Sequence, residues 1–133
     1  MATAFLKCEA GSGMVEFAIA AFLFTLLLLG IFEFGMAAWA KNGVASAARL
    51  GTRFAVVRGK DSGLAATTTA AMVQDTVRAK TTLSPITVNT VWADVDKKPD
   101  TKVTVTVSYN YKRVGLIIPN RTLTSTSSMY IIF

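Results

Sequence analysis

No histidine occurs anywhere in the sequence. That removes the Ser-His-Asp and Cys-His catalytic arrangements and every His-based metal site. There is one cysteine, Cys8, so neither an internal disulfide nor a CxxC metal knuckle is possible within the chain. Neither GxGxxG nor GxxxxGK[ST] appears, so no phosphate-cradling loop is signalled. Carboxylates are scarce, eight against fourteen Lys and Arg, and Asp61, Asp75, Asp94, Asp96 and Asp100 form no constellation. The chain is not expected to be an enzyme, and neither a cofactor nor a metal is expected.

Charge is scarce too, at 17% of residues, while 52% are hydrophobic. An average soluble domain is about 25% charged and about 45–50% apolar. At 133 residues the chain is one domain at most. The apolar excess is concentrated. Phe17 to Phe32 contains no charged residue, and from Met14 to Ala40 the only charges are Glu16 and Glu33. As a helix, Phe17–Phe32 spans about 24 Å, and its continuation to Ala40 spans the hydrocarbon core of about 30 Å. Leu26 to Leu29 make its centre apolar on every side. Such a helix is deeply buried or in lipid. So small a chain cannot cover it, so lipid or another subunit must. A secretory signal peptide is the rival, with Lys7 at the start and an A-x-A at Ala38-Trp39-Ala40. Against it, Glu33 falls between the apolar core and that cut. Cys8 precedes the apolar core, which is the wrong side for a lipoprotein signal.

Beyond Lys41 the helix is expected to continue. Gly43, Ala47 and Gly51 recur every four residues beside the row Ala40, Val44, Ala48. Two readings are equally open: close packing against other helices, or a small-residue face on the protein's own sheet. Arg49 and Arg53 lie one turn apart, as a solvated pair or as partners for a neighbour's carboxylates. Gly59 to Gly63 breaks the pattern, with Asp61 or Ser62 as candidate caps for a second helix over 64–80. Its apolar positions are Ala66, Ala70, Val73 and Val77. From Ile86 the period changes to two. Strands are expected over 86–95, 102–111 and 123–133, with a hairpin turn at Asp96-Lys97-Lys98-Pro99-Asp100. The apolar end, Met129 to Phe133, is expected to be buried in the sheet. Val114 to Pro119 is a short apolar connector. Trp39 reads as an interfacial anchor, and Trp92 as a packing residue. The expected fold class is α+β: a long N-terminal transmembrane and stalk helix, a second short helix and a small three-stranded antiparallel sheet.

Glu16 sits directly against Phe17, at the boundary of the apolar stretch, where a lone carboxylate costs a few kcal/mol unless it finds a partner. The run Gly11-Ser12-Gly13-Met14-Val15-Glu16-Phe17 resembles a type IV prepilin processing site. The wider N-terminal half resembles TadE-like minor pilins (pseudopilins) of the tight-adherence, or Flp, pilus. The resemblance rests on Val15-Glu16-Phe17-Ala18, on the run from Leu28 to Gly35, and on the run from Ala47 to Val57, and it covers about residues 11–58.

The resemblance implies a leader over 1–11, a transmembrane and stalk helix over 12–56, and a small α+β head over 57–133. It implies cleavage after Gly11 by a prepilin peptidase, which leaves Ser12 as the new amino terminus and Glu16 as the fifth mature residue. Glycine suits the scissile position because the peptidase must bring the backbone close to its own carboxylates. Glu16, Phe17 and Glu33 are then the candidate assembly and register residues. In a bundle Glu16 would pair with the amine of a neighbour, while Glu33 would snorkel to water or pair across subunits. The implied partners are the peptidase, other pilin subunits, the Tad secretion machinery and, before assembly, membrane lipid. The implied location is the bacterial inner membrane with the C-terminal domain outside, and the cell-surface pilus after assembly. The flanks point the other way, since Lys41, Arg49, Arg53 and Arg58 outweigh Lys7 in the loop-charge rule. Flp major pilins are much shorter, so the resemblance implies a minor component.

A second class of function rests on charge. Residues 41–133 hold thirteen Lys and Arg against five Asp. A single-span membrane protein with a basic domain would meet an acidic partner. No aromatic-basic platform is present, so nucleic acid is not the expected one.

Overall fold

The computed structural model describes residues 9–63, 68–112 and 119–132. Helix α1 runs Glu9–Val56 without interruption. Helix α2 covers Ala70–Lys80, and strands β1 (Ile86–Trp92), β2 (Lys102–Tyr111) and β3 (Arg121–Tyr130) form one antiparallel sheet in the order β1-β2-β3. The fold is the expected one: a long apolar helix, a short second helix and a three-stranded antiparallel sheet.

At about 1.5 Å per residue, the 48 residues of α1 make a rod of about 72 Å. Its two halves face different surroundings. From Met14 to Phe34 the large apolar side chains are exposed all round. From Ala40 onward one stripe turns inward: Ala40, Val44, Ala47, Ala48, Thr52, Ala55 and Val56 are all buried. Their recurrence at three and four residues keeps them on one side of the helix.

That stripe closes on the inner face of the sheet. Val103, Val105 and Val107 of β2 are fully buried and meet Val73 and Val77 of α2 in the same cluster. The registers place Val105 opposite Thr90 on β1 and Ser127 on β3. Small serines on β3 let α1 approach that edge closely. The buried Thr52 hydroxyl lies 2.8 Å from the Ala48 carbonyl oxygen and 3.2 Å from that of Ser127, tying the helix to β3.

The same closeness decides how the glycine row is used. A Cβ on Gly43 would stand 2.7 Å from Leu83 Cδ1, and one on Gly51 would stand 3.0 Å from both Val105 Cγ1 and Val77 Cγ2. The small-residue face is spent on the protein's own head, the second of the two readings open from sequence. The outer face of the sheet carries hydroxyls that pair across strands, Thr106 with Thr126 at 3.1 Å and Ser108 with Thr124 at 3.3 Å.

Three local expectations are corrected. The cap of α2 is Thr69, whose hydroxyl accepts from the Met72 amide at 3.3 Å, while Ser62 donates to the Gly59 carbonyl instead. Helix α2 begins at Ala70, and residues 64–67 of the expected helix lie outside the described residues. Among the described residues of the apolar chain end only Ile131 is buried, while Met129, Tyr130 and Ile132 are exposed, and Phe133 lies outside the described residues. The pleat turns alternate residues outward, and β3 is an edge strand with little covering it there. Of the connector Val114 to Pro119, all but Pro119 lies outside the described residues.

Candidate functional site

The first candidate is the N-terminal half of α1. Gly11 and Ser12 lie within its first turns, and a Cβ on Gly11 would meet nothing within 4 Å. Gly11 and Gly13 each weaken a helix by about 1 kcal/mol relative to Ala, so this end opens most readily. Glu16 is exposed one turn on from Ser12, and Phe17 is exposed beside it. The segment that follows is long and apolar enough to cross a membrane, and none of its most apolar window is buried by the protein itself. Its one mid-span hydroxyl is satisfied internally, since Thr25 donates to the Ala21 carbonyl at 2.8 Å. That is the arrangement a hydrocarbon environment demands of a polar group.

Glu33 differs from expectation. The sequence places it near the far boundary of the apolar stretch, reaching for water. Its side chain is buried, at 4% exposure, and it has a partner. It sits one turn before Ala37, where the head begins. Ala37, Lys41 and Val44 of α1 line a cleft of about 630 Å³ with Pro119, Arg121 and Leu123 at the start of β3. Glu16 and Glu33 are seventeen residues apart, about 25 Å along the helix, so the structure does not bring them together. Trp39 is 53% exposed just above this level.

Residues 11–53 match the family model described as TadE-like protein. The matched stretch takes in the whole apolar segment and most of α1, and it agrees with the resemblance read from the motifs. Over this stretch the chain is similar to the TadE-like family, and the stretch is the N-terminal apolar helix. No curated protein and no solved structure matches the chain. By length and composition α1 can cross a membrane, and the stretch that can do so is the one similar to the TadE-like family.

The TadE-like stretch ends in a second candidate, which sequence reasoning glimpsed only as the pair Arg49 and Arg53. A cleft of about 600 Å³ lies between the outer side of α1 and α2. Arg49, Arg53, Arg58 and Lys80 line it, with Leu50, Phe54 and Val57 as its apolar part. Among the described residues no carboxylate lines it. The Arg58 guanidinium stands 4.3 Å from the centre of the Phe54 ring, which fixes a cation over the apolar surface. Lys80 could not be placed beside the arginines from sequence, because only the packing of α2 on α1 brings it there.

Next to this cleft, the β1–β2 turn is clasped to the end of α1. The Lys60 amide donates to the Lys97 carbonyl at 3.2 Å, and the Lys97 ammonium donates to the Thr68 carbonyl at 2.6 Å while lying 4.6 Å from the centre of the Trp92 ring.

Proposed function

We propose that this chain is a minor pilin: it is cut after Gly11 by a prepilin peptidase and assembled through α1 into a Tad/Flp-type pilus, or at its initiation. In this reading residues 1–11 are the leader, 12–56 the membrane and stalk helix, and 57–133 the head. The supporting observation is the exposed apolar half of α1, which the chain does not cover and which begins at a carboxylate four residues after Ser12.

Cleavage exposes the amine of Ser12 on the cytoplasmic side, and the head stands outside. While the helix is in lipid, Glu16 lies at the boundary and reaches water. When helices leave lipid and bundle, Glu16 enters a low-dielectric environment, where an unpaired charge costs several kcal/mol. The amine of a neighbour offsets that cost only at one stagger, so Glu16 sets register as well as strength. Phe17 and the leucines from Leu23 to Leu29 supply the apolar contact. The adherence role follows from the pilus.

The test is mass spectrometry of the membrane-expressed protein with its cognate peptidase. A mature chain starting at Ser12 supports the proposal. A start at Lys41 would mean secretory cleavage instead, and an uncut chain would leave a single-span membrane protein.

A further inference from the structure

We propose that the basic cleft between α1 and α2 receives the β1–β2 turn of a second copy of this chain, giving a head-to-tail contact between heads. This goes beyond the processing and assembly reading, because it concerns the heads alone and holds or fails whatever Glu16 does.

Two observations on neighbouring but separate surfaces of the head carry it. The first is the cleft, with four cations around an apolar floor of Leu50 and Phe54 and, among the described residues, no carboxylate in its lining. The second is the tip of the β1–β2 turn. Val95 is 92% exposed, more than any other large apolar residue described. It stands between Asp94 and Asp96, with Asp100 just beyond. An apolar side chain flanked by carboxylates complements an apolar floor flanked by cations.

The lysines of the turn do not cancel this. Lys97 is folded back on the Trp92 ring and the Thr68 carbonyl of its own chain. Lys98 pairs with Asp96 at 3.2 Å, but both side chains are more than half exposed, so the pair is worth little and exchanges easily for an arginine. The Asp94 carboxylate accepts from the Asp96 amide at 3.2 Å, which holds the tip in one shape before contact. Lys97 and Asp100 both have left-handed backbone, φ 51° and 66°, so the turn is sharp and projects Val95.

The geometry favours a second head over lipid as the occupant. Arg49 lies nine residues beyond Ala40, about 14 Å along α1, which is farther than the headgroup layer extends from the hydrocarbon. The turn and the cleft are different surfaces of one molecule, so the contact is heterologous. It repeats from copy to copy rather than closing as a dimer. The turn sits at the membrane-distal end of α1 and the cleft along its flank, so each copy would receive the tip of one lying closer to the membrane.

The test uses the full chain in detergent, with Cys8→Ser throughout. One preparation carries Val57→Cys at the cleft, the other Val95→Cys at the tip. Both positions are exposed, so neither change disturbs the core. Treated with a short bismaleimide, the mixture is expected to give a mixed dimer that neither preparation gives alone. Its yield should fall severalfold between about 0.05 M and about 0.5 M NaCl, as charges become screened. Arg49→Glu with Arg53→Glu in the cleft partner should reduce it about tenfold or more. Adding Asp94→Lys with Asp96→Lys in the tip partner should restore it. Circular dichroism melting of each variant checks that the head is folded. No mixed dimer, equal yields from either preparation alone, or no rescue by the exchanged charges would each overturn the proposal. Cross-linking only when anionic vesicles are present would also overturn it, assigning the cleft to lipid.

Discussion

Gly51 faces Val105 so closely that a methyl group added to the glycine would stand 3.0 Å from Val105 Cγ1. The long apolar helix and the central strand of the head therefore share one packing surface, and neither can shift without the other.

This contact predicts opposite outcomes at two glycines of one row. Alanine on Gly51 gains about 1 kcal/mol of helix propensity but must push apart Val105, Val77 and Val73, three stiff side chains in a closed core. Gly51→Ala is expected to destabilise the head by about 1–2 kcal/mol net, and Gly51→Leu to prevent folding. At Gly43 the obstacle is the end of the flexible Leu83 side chain, which can turn aside. Gly43→Ala should remain within about 1 kcal/mol of the parent. Thermal or urea unfolding followed by circular dichroism measures both, and the reverse order would contradict the packing.

At Gly11, a bulky residue should block processing without affecting the head. Gly11→Leu is expected to leave the full chain uncut by mass spectrometry, with the unfolding midpoint unchanged. Gly13→Ala, two residues beyond the scissile bond, should still give a chain beginning at Ser12.

Glu16→Ala is expected to be cut normally yet to enter pili poorly, because processing reads the glycine and assembly reads the carboxylate. Quantifying the subunit in sheared pili against the membrane pool checks this. Normal incorporation would remove the register role.

Glu33 separates membrane insertion from head stability. Because its carboxylate is buried and partnered where the head meets α1, Glu33→Ala should cost about 1–3 kcal/mol in head unfolding. Membrane fractionation should be unchanged, since removing one charge leaves the stretch from Phe17 to Ala40 at least as apolar. A variant with full head stability would contradict the burial.

Much of this architecture was legible as pattern. The strict alternation from Val103 to Tyr111 marked β2 to the residue, and the unbroken apolar run marked α1. The ends of β1 and β3 were less legible, because a strand stops where its partner stops, and the partner register is not written locally. The face carrying Gly43, Ala47 and Gly51 read equally well as helix-to-helix or helix-to-sheet contact, since small residues permit close approach without specifying by what. Glu33 misled for a related reason. Its neighbours in sequence are apolar, and the burial of its side chain cannot be read from them. The proposed processing site at Gly11 and Glu16 rests on spacing along one helix, which sequence displays directly. The cleft was half visible, because Arg49 and Arg53 share a helix and Lys80 joins them only through tertiary packing.

The unbroken course of α1 from Glu9 to Val56 has a mechanical consequence. There is no break between its exposed apolar half and the part that forms the core of the head. A joint would let the head hang freely while the anchor moved. Here the two turn as one stiff shaft. Tilting the anchor swings the head, and rotating it changes which side of the head looks outward. Whatever orients the apolar end of this rod also aims its far end.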